Sequence, residues 1–213
     1  MGARYLVVEG LIGVGKTTMC RLLERERGAK LVLEPAATNP FLEPFYTDPQ
    51  RYAFPVQMFY LINRWRQQAE ISQGDLFSRL VVSDYLFAKD RLFAEKTLPA
   101  DELALYDRFA GALGAQIPKP ELLVYLEAPL SVVMSRIAQR RAPGEEAITE
   151  AYLVDLRERY ERLLDAYDDS PVLRLDNAVQ RTPDELVALL EQALDGELPA
   201  APSAPDRQQA LFT

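Results

Sequence analysis

The 213 residues suit one α/β domain, and 48% of them are hydrophobic, enough for a sizeable core. A net charge of −8 argues against free nucleic acid or an anionic membrane as partner, so a polyanionic ligand would need local positive charge to meet it. The absence of histidine excludes imidazole bases and histidine metal ligands, and the single cysteine, Cys20, allows no internal disulfide, which fits a reducing cytoplasm.

The first predicted element is a strand over residues 4–9, built on Tyr5-Leu6-Val7-Val8. Because residues 1–9 read as strand, we expect no signal peptide, and no apolar run is long enough to span a membrane. The strand runs into Gly10-Leu11-Ile12-Gly13-Val14-Gly15-Lys16-Thr17, which fits the phosphate-cradling pattern G-x-x-x-x-G-K-[ST]. A helix is predicted next, over 15–27. Gly10, Gly13 and Gly15 let the backbone approach a pyrophosphate, and the free N–H groups of the helix start point at the anion. Lys16 would hold the β- and γ-phosphates and Thr17 would offer its hydroxyl to Mg²⁺, with Thr18 beside them. A chance glycine-rich turn is the alternative; a complete motif between strand and helix argues against it.

A second strand, 30–34, ends on Glu34-Pro35. A carboxylate there suits a general base for a hydroxyl attacking a γ-phosphate, or a cap on the turn, and position leaves both open. The segment 35–78 reads as a mostly helical insert, with a helix over 50–73. Asp48-Pro49 reads as its N-cap and first residue, and Pro55 predicts a kink or a later start. Gln57 and Arg64, seven apart, share one helix face and could bond the edge of a planar heterocycle. Phe54, Met58, Leu61, Ile62 and Trp65 surround them, and such residues at helical spacing are more often core. The third strand, 79–83, is followed by Asp84, which suits either Mg²⁺ or the cap of a following helix.

Further on, a helix over 101–115 precedes a strand over 121–126, and Glu127 reads as a helix-entry residue outside the site. A helix over 130–141 carries Arg136, Arg140 and Arg141. Like charges four apart oppose the helix slightly unless polyphosphate binds between them. The segment 142–148, with Glu145, reads as a short loop. A helix over 150–167, a strand over 171–175 and a helix over 183–194 complete the pattern. The proline- and alanine-rich residues 198–213 read as a disordered tail. Apolar runs alternating with helical patterns argue for a parallel sheet, with the ligand beyond its carboxyl ends.

Together these segments resemble the deoxynucleoside kinases, most closely the bacterial deoxyadenosine/deoxyguanosine kinase group. The resemblance covers about residues 3–175. It is most specific at Glu34-Pro35, Asn39-Pro40-Phe41-Leu42-Glu43, Phe45-Tyr46, Asp48-Pro49, Arg51-Tyr52-Ala53-Phe54 and Gln57. It continues at Ser83-Asp84-Tyr85-Leu86-Phe87-Ala88-Lys89-Asp90 and at Arg136-Ile137, Arg140, Glu145 and Tyr152-Leu153. It implies an α/β P-loop kinase fold with five parallel strands and helices on both faces, in a domain spanning 1–197 with a lid at about 136–148. It implies ATP with Mg²⁺ as donor, a deoxyribonucleoside acceptor, cytoplasmic salvage, and a homodimer. By position, Glu34 would take the 5′-hydroxyl proton. Tyr46 and Glu145 would hold the 3′-hydroxyl, and Gln57 would bind the base with Arg64 near it. Arg136 and Arg140 would clamp the donor, and Asp84 would stand near Mg²⁺ and the 5′-end. Two positions depart from the pattern. Ser83-Asp84-Tyr85 stands where many members have Glu-Arg-Ser, and Ala142 stands where the lid has its second arginine, with Arg141 one residue earlier.

Two other activities fit part of the same pattern. A nucleoside monophosphate kinase of the thymidylate kinase type usually has an arginine before Glu-Pro, where this chain has Leu33, and an apolar residue there favours a neutral hydroxyl acceptor. A non-catalytic nucleotide sensor or GTPase switch would leave the carboxylates at the strand ends surplus, and no Asn-Lys-x-Asp guanine-reading motif occurs. Gln57 can pair with adenine, guanine or cytosine edges, so the purine expectation rests on likeness alone.

Overall fold

Five short apolar segments pair side by side, all parallel, in the order β2-β3-β1-β4-β5. They are β1 (Arg4–Gly10), β2 (Lys30–Val32), β3 (Leu80–Ser83), β4 (Leu122–Glu127) and β5 (Val172–Asp176). The computed structural model describes residues 3–34, 39–72, 79–141, 145 and 148–197. The central strands are apolar on both faces: Leu6, Val8, Val82 and Leu122 to Val124 have no exposed surface. That is the mark of a parallel sheet covered on both sides. Eight α-helices are described: α1 (Lys16–Arg27), α2 (Leu42–Thr47), α3 (Pro49–Ser72), α4 (Asp90–Thr97), α5 (Ala100–Gly114), α6 (Leu130–Arg140), α7 (Glu150–Asp165) and α8 (Pro183–Leu194). Right-handed crossovers from this strand order put α1 on one face and α3, α4, α5 and α7 on the other, and α8, which follows the last strand, sits against α1. The packing of α3 on α4 and α5, and of α4 on α7, agrees.

Local chemistry explains several helix ends. Gly28, in the left-handed region at φ 61°, ends α1 with its N–H on the Glu24 carbonyl, and the Ala29 N–H follows on that of Leu23. Thr182 and Glu185 form a reciprocal capping box before α8, with Pro183 at its first position. Asp48 Oδ1 accepts from the Arg51 N–H at the start of α3. Pro55 neither ends nor delays that helix, which runs unbroken from Pro49 to Ser72. A proline forfeits one backbone bond there, but the turns around it are held by Ala53, Val56 and Leu61, all buried.

Three further boundaries differ from expectation. The second strand stops at Val32, whose carbonyl accepts from the Asp84 N–H, so Leu33 and Glu34 leave the sheet. The helices α2 and α4 escape the periodicity reading. The first has six residues and no buried side chain, between Pro40 and Pro49. The second has two turns, too few for a 3.6-residue repeat to register. A single 3-10 turn, Phe87–Lys89, leads into it. The expected loop at 142–148 falls largely, and the expected tail at 198–213 wholly, outside the described residues.

The register brings four chain segments to one sheet edge. Val7 lies opposite Ser83, Val32 opposite Ser83, and Gly10 opposite Leu126. The turns after β1, β2 and β3 therefore leave the sheet side by side.

Candidate active site

The turn after β1 is shaped by contacts that only glycine allows. A Cβ on Gly10, at φ 145°, would stand 2.5 Å from the Leu126 carbonyl oxygen, and one on Gly15, at φ 112°, 2.6 Å from Asn177 Nδ2. Gly15 is also the N-cap of α1 and offers no side chain to its N–H groups, which leaves that helix end open to an anion. Lys16 Nζ donates to the carbonyls of Gly10 (2.8 Å) and Leu11 (3.0 Å), so its ammonium curls over the loop. Burial pushes the Lys16 pKa down to about 8; Lys89 and Arg140 push the same way, and Glu9 and Asp84 oppose them. A bound polyphosphate would reverse that shift.

Asp84 joins the loop to the ends of β2 and β3. Its Oδ2 accepts from the Thr17 hydroxyl at 2.7 Å and its Oδ1 from the Glu34 N–H at 2.8 Å. Of the two roles open to Asp84 from position, capping the next helix is therefore not what its side chain does. Thr18 follows on the exposed first turn of α1.

Behind this junction lies a chain of buried charges. Arg64, from α3, bonds Glu34 Oε1 with one terminal nitrogen and Asp90 Oδ1 with the other. Its guanidinium lies 5.0 Å from the Tyr60 ring centre and 5.5 Å from that of Tyr85. Lys89 Nζ donates to Glu34 Oε2 at 3.2 Å and stands 3.7 Å from Glu9 Oε2. Burial lowers the pKa of Arg64, and of Lys89, where Glu9 opposes the shift. Arg64 Nε and Asp90 Oδ2 are buried without a hydrogen-bond partner among the described residues. Buried polar atoms are rarely left so, and these two can serve a polar ligand.

The other expected residues lie around this centre. Gln57 is buried on α3, its amide donating to Thr97 Oγ1 at 3.0 Å. Tyr46 sits half-exposed on α2, within electrostatic reach of Tyr60 and Tyr152. Arg140, at the end of α6, pairs with Glu145. Arg136 bonds Val14 O and Asn177 O, each at 2.9 Å, so both its terminal nitrogens brace the loop against the turn after β5. These bonds use two of its five N–H donors.

Four residues here escaped the sequence reading as members of the site. Glu9 looks like one polar residue ending a strand, yet it has no exposed surface. Lys89 and Asp90 belong to a short charged run, Lys89-Asp90-Arg91, and Asn177 is an ordinary turn residue. A carboxylate directly before the glycine loop, in an otherwise apolar strand, was the one available signal. Among the described residues no group of three or more acidic or cysteine side chains could hold a metal by itself.

The sequence model described as "Deoxynucleoside kinase" matches residues 6–188. The chain belongs to that family. It is 33% identical over 179 residues to a deoxyguanosine kinase of Bacillus subtilis (strain 168), covering 82% of this chain and 86% of that one. It is 29% identical over 202 residues to a deoxyadenosine/deoxycytidine kinase of the same organism, covering 87% and 92%. A solved structure of the deoxyadenosine kinase from M. mycoides with bound dATP superposes with a TM-score of 0.74. That match covers 90% of this kinase and 99% of that chain, at 21% identity, and concerns the fold. The P-loop kinase fold and the deoxynucleoside kinase activity expected from the sequence thus hold, and the monophosphate kinase and non-catalytic readings fall. No described helix of the kinase is long and apolar enough to cross a membrane.

Proposed function

We propose that the kinase transfers the γ-phosphate of ATP to the 5′-hydroxyl of a purine deoxyribonucleoside, in cytoplasmic nucleotide salvage. The observation that carries this reading is Asp84, bonded at once to Thr17 of the phosphate loop and to the backbone of Glu34. It holds a carboxylate suited to a hydroxyl acceptor beside the donor cradle. The names of the two Bacillus relatives support deoxyguanosine and deoxyadenosine as acceptors, and the second also names deoxycytidine.

In this mechanism the loop amides and Lys16 receive the donor phosphates, and Lys16 exchanges two carbonyls for phosphate oxygens. Glu34 orients the 5′-hydroxyl. As the new O–P bond forms and the bond from the γ-phosphorus to the β-bridging oxygen breaks, the hydroxyl proton passes to Glu34 and ADP leaves. A loose transition state asks the protein for position and charge more than for a strong base. Thr17 and Asp84 form the all-oxygen, single-carboxylate partnership that suits Mg²⁺ shared with phosphates. That ion, when bound, neutralises phosphate charge. Arg140 would trade Glu145 for the donor, freeing Glu145 to hold the 3′-hydroxyl with Tyr46; Arg136 and Arg140 complete the donor side. Gln57, with Arg64 and the unpartnered Asp90 Oδ2 nearby, would read the base edge. Ile62 on α3 and Leu105 and Phe109 on α5, all exposed apolar residues, support a homodimer across those helices.

A substrate panel tests the reading. With radiolabelled ATP, deoxyadenosine, deoxyguanosine, deoxycytidine, thymidine and dTMP are compared by kcat/KM. The two purine nucleosides should lead, and dTMP should give no product. Preference for a pyrimidine nucleoside would overturn the purine assignment, and preference for dTMP the hydroxyl acceptor.

A further inference from the structure

Lys89 is a buried ammonium that the mechanism above does not use. Its side chain is 4% exposed, and its nearest charged partners are two carboxylates, Glu34 at 3.2 Å and Glu9 at 3.7 Å. Burying an ammonium is costly unless its partners are well placed, and Glu9 is placed very firmly. Its Oε1 accepts from the Gly10 N–H at 2.8 Å and from the Tyr160 hydroxyl at 3.0 Å, and its Oε2 from the Leu86 N–H at 2.8 Å. One of those donors is the first residue of the phosphate loop. The inner carboxylate is thus locked to the donor cradle, and Lys89 reaches from it to the carboxylate on the acceptor side. Arg64 occupies the other Glu34 oxygen. Each oxygen of Glu34 therefore has its own buried cation, on a different element, and the two cations are themselves anchored by Glu9 and Asp90.

We propose that Lys89 is the positioning residue for Glu34. Held by Glu9, it transmits the location of the phosphate loop to one oxygen of that carboxylate, while Arg64 fixes the other. The carboxylate then cannot rotate, and the hydroxyl it orients stands at a set distance from the γ-phosphate. This inference rests on the reading of Glu34 as the residue that receives the hydroxyl proton.

The test compares Lys89→Met, Lys89→Arg, Glu34→Gln and the double variant Glu34→Gln/Lys89→Met, with kcat, nucleoside Kd by calorimetry and Tm measured for each. Lys89→Met should lower kcat about ten- to hundredfold, the scale of a misplaced reacting group. Nucleoside Kd should stay within about threefold, and Lys89→Arg should recover most of the rate. In the Glu34→Gln background the same Lys89→Met change should cost no more than about twofold, because the partner it positions is gone. An equal loss in both backgrounds, or an unaltered kcat in Lys89→Met, overturns the proposal. If Glu34→Gln alone turns over within about threefold of the parent, a margin below the general-base range, the base reading fails and the proposal falls with it. If Glu34→Gln is impaired and the losses multiply, only the role of Lys89 falls. Should Lys89→Met lose its fold, Glu9→Gln/Lys89→Met removes both inner charges together. It should show the same fall in kcat, and parental kcat in that variant would equally overturn the proposal.

Discussion

Lys16 spends its protons on two carbonyls of its own loop and holds them loosely, its pKa pushed down to about 8 by burial first of all. A polyphosphate favours the charged form, so the bound lysine has the higher pKa. Binding must then take up a proton wherever the free lysine is neutral, and affinity falls as pH rises through about 8. Titration of MgATP without nucleoside, in buffers of different ionisation enthalpy, should show little proton uptake at about pH 7 and an uptake approaching one at about pH 9. Equal uptake at both values would separate Lys16 from the donor phosphates. At this scale the sequence is readable where a backbone motif fixes the role. Gly10, Gly15, Lys16 and Thr17 stand where the pattern requires. Lys89 was opaque because nothing in Ala88-Lys89-Asp90 tells that its ammonium is buried between two carboxylates 80 and 55 residues away.

The helix α6 ends on Arg141 at φ 50°, the one non-glycine residue with positive φ among those described, with its N–H on the Ile137 carbonyl. An L side chain in that conformation costs about 1 kcal/mol or more, and glycine is the usual occupant. The substitution Arg141→Gly should therefore stabilise the protein by about 1 kcal/mol in urea denaturation. If Arg141 also stands in for the arginine absent at position 142, the same variant should raise the KM for ATP. Higher stability with an unaltered KM would confine Arg141 to ending the helix, and lower stability would refute the strain argument. Long helices with capped ends, such as α1 and α8, were legible because periodicity and end signals agree along the chain. The helices α2 and α4 were not, since each is too short to repeat and is held by what it packs against. The unbroken α3 shows the same priority, with buried neighbours outweighing the local preference of Pro55.

Across the whole molecule, α3 and α5 serve two surfaces. One side of α3 delivers Gln57 and Arg64 inward, while Ile62, Leu105 and Phe109 remain exposed. If the pair of helices forms a twofold interface, Phe109→Glu should convert a species of twice 24.1 kDa into one of 24.1 kDa by sedimentation. A parent already at the monomer mass would remove the dimer from the proposal. By itself the sequence determined the phosphate loop, the alternation that makes a parallel sheet, and the place of Asp84 directly after the third strand. These are properties of short segments, set by side-chain period and by the few residues that a tight turn admits. Only the tertiary structure decided which charges meet. The order β2-β3-β1-β4-β5 sets the end of β2 beside β3, lets Asp84 bond Thr17 and Glu34 together, and closes Arg64 and Lys89 on one carboxylate. Such pairings depend on distances across the sheet, which no local pattern of residues encodes.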